Sequence, residues 1–290
     1  MSDVKAYVKR VAALVEQSLD RVMEKESAYP QSIHGVMRYS VFAGGKRIRP
    51  ALMMAAFEAC GGRFGDEKVL LAGAAFEMLH TFSLIHDDLP CMDDDDFRRG
   101  KPTAHRAFGE ATAVLGGDAL CIFAFECLSR TGRIDIIEET AKALGTRGMI
   151  GGQVVDVESE GRAVDRATVD FIHTNKTAAF IRAAVRCGVL FAGAPVSAVD
   201  RLTSYGNAIG LAFQIVDDIL DEEGTTEQLG KDAGSDREKG KATYPAVVGM
   251  EESKRCAEHL IEQAHGDIAF LADKGRMLGE LADYIRTRIN

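Results

Sequence analysis

Apolar positions recur at helical spacing along almost the whole chain, interrupted by short turns marked with Gly or Pro. Segment 3–26 is amphipathic and ends before Tyr29-Pro30. Segment 32–42 runs into Gly44-Gly45, and Pro50 starts a helix over 50–60 that stops at Gly61-Gly62. The same spacing predicts helices over 66–88, 109–129, 135–150, 166–192, 197–220, 240–264 and 269–288. Ala-rich runs such as 178–192 favour helix and close packing. No run with period two competes, so the expected fold class is all-α, a helical bundle. With no linker long enough to mark a boundary, residues 1–290 are expected to form a single domain.

Two of these helices end in carboxylates. The helix over 66–88 is apolar at Ala74, Ala75, Met78, Leu79, Phe82 and Ile85, so it should be buried and carry Asp87 and Asp88 near its end. Asp87, Asp88, Asp93, Asp94, Asp95 and Asp96 fall within ten positions, and Arg98, Arg99 and Lys101 follow at once. An acidic run is ordinarily a solvated loop. One rooted in a core helix is different, because unpaired carboxylates beside a core are costly. Such carboxylates persist where something cationic neutralises them, and a hard divalent metal taking oxygen ligands is the simplest candidate. Gly210 to Gly224 repeats the arrangement, with Asp217, Asp218 and Asp221 on one helix face at the end of another apolar stretch. Two such clusters on facing helices, with cations around them, describe a cage for metal ions and a polyanion. A diphosphate is the natural choice, with metals bridging carboxylates and phosphates. The likeness of SLIHDD to FQIVDD is too short to establish an internal duplication.

Composition narrows the partners. The chain is 46% hydrophobic and 27% charged, which is ordinary for a globular protein, and 290 residues allow a large core. A net charge of −9 argues against nucleic acid and against an anionic membrane surface. The six cysteines (Cys60, Cys91, Cys121, Cys127, Cys187 and Cys256) are dispersed and form no CxxC pair. They are read as reduced core residues of a cytoplasmic protein, not as a zinc site or disulfide framework. The segment MSDVKAYVKRVAALVEQ has interspersed charges and no h-region, so it does not read as a signal peptide. No stretch is expected to approach the length of a membrane span, so no integral membrane association is expected.

Further polar motifs fit the cage. Gly44-Gly45-Lys46-Arg47-Ile48-Arg49-Pro50 sets three cations where a glycine turn leads into a helix, either a plain basic turn or a phosphate site. His80 lies seven residues before Asp87, two turns down the same face. Alone it would read as a satisfied core histidine; in this company it reads as a ligand contact. Gly151-Gly152-Gln153 with Asp156 brings a polar side chain into a buried helix, where it needs a partner. Lys176-Thr177 precedes an apolar run. Lys231, Lys239 and Lys241 flank Asp232 and Asp236 in a glycine-rich loop that is either solvated or a lid closing over phosphates.

GGKRIRP, LIHDDLPCMDDDDFRRGKPTAH, GGQVVD, NKTAAFIRAA, FQIVDDILD and GKDAGSDREKGKATYP follow one another from about residue 30 to 250. In order and spacing they resemble the signatures of the trans-isoprenyl diphosphate synthases, the polyprenyl synthetase family. The resemblance implies an isoprenoid-synthase helical bundle around a central cavity, usually a homodimer, that condenses isopentenyl diphosphate with an allylic diphosphate. It implies about three Mg²⁺ ions, with Mn²⁺ as a substitute, held by Asp87, Asp93 and Asp217. It assigns Lys46, Arg49, His80 and Arg99 to isopentenyl diphosphate. Arg98, Lys176, Thr177, Gln214, Lys231 and Lys241 fall to the allylic diphosphate. Among these, Asp87, Asp93, Arg98, Lys176, Asp217 and Lys231 are the expected catalytic set.

The chemistry calls for these residue types. Ionising the allylic C–O bond requires charge already in place for the departing diphosphate, and the carbocation needs a dry chamber. Class I terpene cyclases share a DDxxD helix but lack GGKRIRP and RRG, which a second diphosphate requires. A non-catalytic subunit of a heteromeric synthase would tend to lose an aspartate cluster, and both are intact. Product length is set along the helix before Asp87, where Phe82 is large and Ser83 small. An aromatic at Phe82 with the DDLPCMD spacing resembles bacterial farnesyl synthases. Geranylgeranyl diphosphate is the alternative product.

Overall fold

A computed structural model describes residues 2–223 and 240–287. The fold is all-α among these residues, apart from one two-residue hairpin. In chain order the helices are α1 (Ser2–Val22), α2 (Gln31–Val41), α3 (Ile48–Ala59) and α4 (Glu67–Asp87). The hairpin β1 (Phe97–Arg98) and β2 (Lys101–Pro102) follows, paired antiparallel. Next come α5 (Ala104–Phe108), α6 (Glu110–Arg130), α7 (Ile134–Leu144), α8 (Met149–Ser159) and α9 (Arg166–Ile172). A π turn, His173–Ala178, leads into α10 (Ala179–Phe191) and α11 (Val196–Glu223). After residues 224–239 the chain continues through α12 (Tyr244–Val248), α13 (Met250–Ile268), a 3₁₀ stretch (Ala269–Gly275) and α14 (Arg276–Arg286).

The helices group into two compact units. One contains residues 5–54 and 64–137; the other contains 1–4, 55–63 and 138–290. In the first, α4 packs along α6, and α2 packs on both. Val69, Leu70, Phe76, Met78, Leu79, Phe82 and Ile85 of α4 are all buried. The two helices approach closely because Gly117 faces His86: a Cβ there would lie 2.2 Å from the imidazole Nε2. In the second unit, α11 is the axis, packed by α10, α13 and the π turn. Tyr205 of α11 is fully buried, and its hydroxyl donates to the Leu278 carbonyl at 2.7 Å.

Glycine divides two predicted helices, and a third glycine sets off α5, a short helix that the periodicity did not predict. Gly148 stands where a Cβ would meet the Ala143 carbonyl at 2.1 Å, so the segment read as 135–150 becomes α7 and a separate α8. Gly109 and Gly249, with φ of 85° and 86°, separate α5 from α6 and α12 from α13. Two other expectations are corrected. α4 and α6 are each long and apolar enough to cross a membrane; in α4 this reflects burial within the unit. All six cysteines are free, but only Cys127 and Cys187 are buried and Cys91 is exposed, because it follows a proline turn beyond the end of α4.

Candidate active site

In the first unit the site is built on the C-terminal end of α4. Asp66 caps the helix, accepting from the amides of Lys68 at 3.0 Å and Val69 at 3.2 Å. The helix ends at Asp87, and the backbone folds back on itself. The Met92 amide donates to the Leu89 carbonyl at 2.9 Å, Asp94 to Leu89 at 3.1 Å, and Asp93 to the Asp87 carbonyl at 2.8 Å. Asp94 takes a left-handed φ of 49° in this loop. The separation in sequence is therefore closed, and Asp93 returns beside Asp87.

Asp88 does something else. It is buried, and Arg98 grips it with Nε at 2.6 Å and Nη2 at 2.5 Å while also reaching Asp95 at 3.1 Å. Burial pushes the Asp88 carboxyl up to about 6, although Arg98 pulls the other way. Asp88 thus anchors Arg98 at the helix end. Arg99 follows in the hairpin turn with φ of 54° and donates from Nη1 to the Gly44 carbonyl. At Gly45, with φ of 133°, a Cβ would lie 3.0 Å from that guanidinium. The glycine pair therefore lets the Lys46 loop and Arg99 meet.

Lys46 is exposed and Arg49 half-buried, but Arg47 between them turns inward. Its side chain is fully buried, with Glu77 at 2.8 Å, the Val41 carbonyl at 2.7 Å and Glu16 at 3.6 Å. So only two of the three cations at this turn face outward. Arg49, Arg98 and Arg99 surround His80 closely enough that burial first, and then these cations with Arg47, hold its pKa well below the ordinary 6.5. His80 is a neutral imidazole among guanidiniums, able to donate one hydrogen bond to an anion. Phe82 is 8% exposed and stands edge-on to His86, with ring centroids 5.7 Å apart. His86 bonds the Val114 carbonyl at 3.1 Å. Ser83 is half-buried and donates to the His80 carbonyl at 2.9 Å.

The second unit assembles the other residues. Gly152 lets α8 touch the π turn, since a Cβ there would lie 2.3 Å from the Lys176 amide nitrogen. Lys176 Nζ then meets Asp156 Oδ2 at 2.5 Å. Gly210 brings α11 against the same turn, with Ala178 Cα 2.7 Å from its would-be Cβ. One helical turn onward, Gln214 accepts from the Thr177 hydroxyl at 2.7 Å and donates to Asp218 Oδ1 at 2.9 Å. Asp218 Oδ2 also takes the Tyr244 amide at 2.8 Å and His173 Nε2 at 2.7 Å. Asp218 and Asp221 are buried and Asp217 half-buried. Lys241 is half-buried; Lys231, Lys239, Asp232 and Asp236 lie outside the described residues. The Tyr244 hydroxyl donates to Asp170 at 2.5 Å, and burial together with that carboxylate pushes the phenol up.

Sequence reading missed Arg47, Glu77, His173, Asp170 and Tyr244 as members of these networks. A signal existed for the π turn: His173, Thr174, Asn175 and Thr177 are all poor helix formers within a helical run. For metals, the donor set is hard carboxylate oxygen at both helix ends. Among the described residues, no three His, Cys, Asp or Glu side chains could hold an ion by themselves. Hard carboxylate oxygen is the donor type that suits Mg²⁺, which keeps several waters and shares one or two carboxylates with substrate phosphates.

A model described as polyprenyl synthetase matches residues 30–273. The chain belongs to the polyprenyl synthetase family. It is 45% identical over 301 residues to the heterodimeric geranylgeranyl pyrophosphate synthase large subunit 1 of Arabidopsis thaliana, an alignment covering 99% of this chain and 80% of that one. An FPP/GFPP synthase from Zymomonas mobilis superposes with a TM-score of 0.88 at 34% identity, covering 98% of this chain and 100% of that one. A Helicobacter pylori geranyltransferase complexed with magnesium and isoprenyl diphosphate gives 0.83 at 30% identity, covering 99% and 97%. The chain is therefore a trans-prenyltransferase, and its substrates are isoprenoid diphosphates.

Proposed function

We propose that this polyprenyl synthetase condenses isopentenyl diphosphate head-to-tail with dimethylallyl and geranyl diphosphates and stops at farnesyl diphosphate, releasing inorganic diphosphate. The observation that carries the two-substrate reading is that each unit has an aspartate-bearing helix end with polar and cationic side chains beside it. One set is Lys46, Arg49, His80 and Arg99, the isopentenyl diphosphate side. The other is Lys176, Thr177, Gln214 and Lys241 of the second unit, the allylic side, to which the family resemblance adds Arg98 and Lys231. Mg²⁺ held by Asp87, Asp93 and Asp217 would neutralise the allylic diphosphate as it leaves.

Arg98, locked on Asp88, is already oriented when charge develops, so little reorganisation accompanies C–O ionisation. Neutral His80 donates a hydrogen bond without adding to the repulsion among Arg49, Arg98 and Arg99. The isopentenyl double bond attacks the allylic carbon, and the departing diphosphate takes the proton lost afterwards, so no strong protein base is required.

We assign product length to Phe82, a buried ring about one and a half helical turns before Asp87. A second reading, geranylgeranyl diphosphate, is favoured by relatives named for that product at 43–46% identity. Chromatography of dephosphorylated products decides between C15 and C20. Phe82→Ala should lengthen the product while the protein stays folded. An unchanged product from a less stable variant removes Phe82 from length control.

A homodimer is the proposed assembly. α6 exposes Val114 (39%), Leu115 (59%) and Ile122 (71%) along one face, as a helix covered by a partner would. A monomer in sedimentation at micromolar concentration would refute this. Turnover by the purified chain alone separates it from a subunit needing a different partner.

A further inference from the structure

Asp218 is 2% exposed, and both of its oxygens are engaged. Gln214 Nε2 donates to one at 2.9 Å; the Tyr244 amide at 2.8 Å and His173 Nε2 at 2.7 Å share the other. A carboxylate only accepts, so His173 must carry its proton on Nε2. With its amide turned to Asp218, Gln214 presents Oε1 to the Thr177 hydroxyl at 2.7 Å. One buried carboxylate therefore fixes which way Gln214 faces, where Thr177 points and where the backbone stands at Tyr244.

Among the described residues, His173 makes this polar contact and no other. It is 3% exposed, and its Nδ1 is buried with no hydrogen-bond partner among the described residues. A buried polar atom left unsatisfied is costly, and a histidine serving only to fill space would be better replaced by an apolar ring. The opposite edge is what the site retains. His173 also begins the π turn that carries Lys176 and Thr177, and its ring packs against Tyr244 with centroids 5.5 Å apart.

We propose that His173 is a positioning residue for the allylic diphosphate pocket, acting through Asp218 to hold Gln214, Thr177 and the chain at Tyr244 in the arrangement that receives the phosphates. This rests on the assignment of that pocket under the proposed function.

The test varies each substrate separately in wild type, His173→Phe, His173→Gln and His173→Asn. Gln carries an amide donor near the Nε2 position, whereas Asn carries it near Nδ1. His173→Phe and His173→Asn should raise the allylic KM by about tenfold, equivalent to about 1.4 kcal/mol. The isopentenyl KM should stay within about twofold, and His173→Gln should restore the allylic value. Equal rises in both KM values, or Gln and Asn variants that behave alike, overturn the proposal. If His173→Phe does not fold, the Gln and Asn pair decides. Wild-type protein that turns over no substrate pair refutes the functional reading alone. The inference is then decided by calorimetry of inorganic diphosphate with Mg²⁺: binding kept in His173→Gln and weakened in His173→Asn supports it, and equal binding overturns it.

Discussion

With its side chain fully buried, Arg47 has Glu77 at 2.8 Å and Glu16, which is about half exposed, at 3.6 Å. Removing one member of a buried pair strands the other charge, a loss of about 3–5 kcal/mol. Glu77→Ala should therefore destabilise by about that amount in urea titration; a loss below about 1 kcal/mol would mean that Glu16 suffices. His80 gives a pH prediction of definite sign. Its folded pKa lies well below 6.5, so the unfolded chain binds more protons there, and stability is lost as pH falls through and below 6.5. Asp88 acts oppositely: with a folded value of about 6 against 3.8, it contributes stability as pH falls from about 6 towards 3.8. His80→Asn should remove only the first effect. The stability difference between wild type and variant should then fall with pH, approaching about 1.4 kcal/mol per pH unit. Parallel pH curves would show that His80 is not held neutral. None of this was legible in the motif, where Arg47 looks like its neighbours Lys46 and Arg49; the distinction depends on a partner 30 residues away.

At the scale of elements, close approach by glycine sets where the π turn sits. Gly152→Ala would push a Cβ to 2.3 Å from backbone nitrogen, an overpacking that costs about 1–3 kcal/mol and displaces Lys176. Both melting temperature and turnover should drop. Gly266 in α13 is the contrast, because a Cβ there meets nothing within 4 Å. Gly266→Ala should stabilise by about 0.4–1 kcal/mol and leave turnover alone. Similar melting temperatures for the two variants would remove the argument from close approach. Helical periodicity made most helices legible, including the long ones that end at the aspartates. It could not show the break at Gly148 or the π turn, because each depends on what packs against the backbone. His173 and Asp218 lie 45 residues apart and meet where Gly210 leaves room for the turn against α11.

For the whole molecule, the family's motifs were readable because each is contiguous in sequence. The balance between their charges is a property of the folded chain with its ligands. A net charge of −9 and two aspartate-bearing helix ends should repel a diphosphate that arrives without metal. Mg²⁺ and inorganic diphosphate should therefore stabilise the protein together far more than either does alone. At a hundred times the dissociation constant the gain is about 2.7 kcal/mol, visible as a rise in melting temperature. Chelation should abolish both that rise and turnover, and Mg²⁺ or Mn²⁺ should restore them. Asp87→Ala and Asp217→Ala should each lower turnover by orders of magnitude and shrink the rise, with the circular dichroism of the native fold retained. The decisive comparison is diphosphate with and without metal. Equal stabilisation in the two cases would mean that Lys46, Arg49, Lys176 and their neighbours bind the phosphates unaided. The carboxylates of Asp87, Asp93 and Asp217 would then have to be explained by something other than a bridging cation.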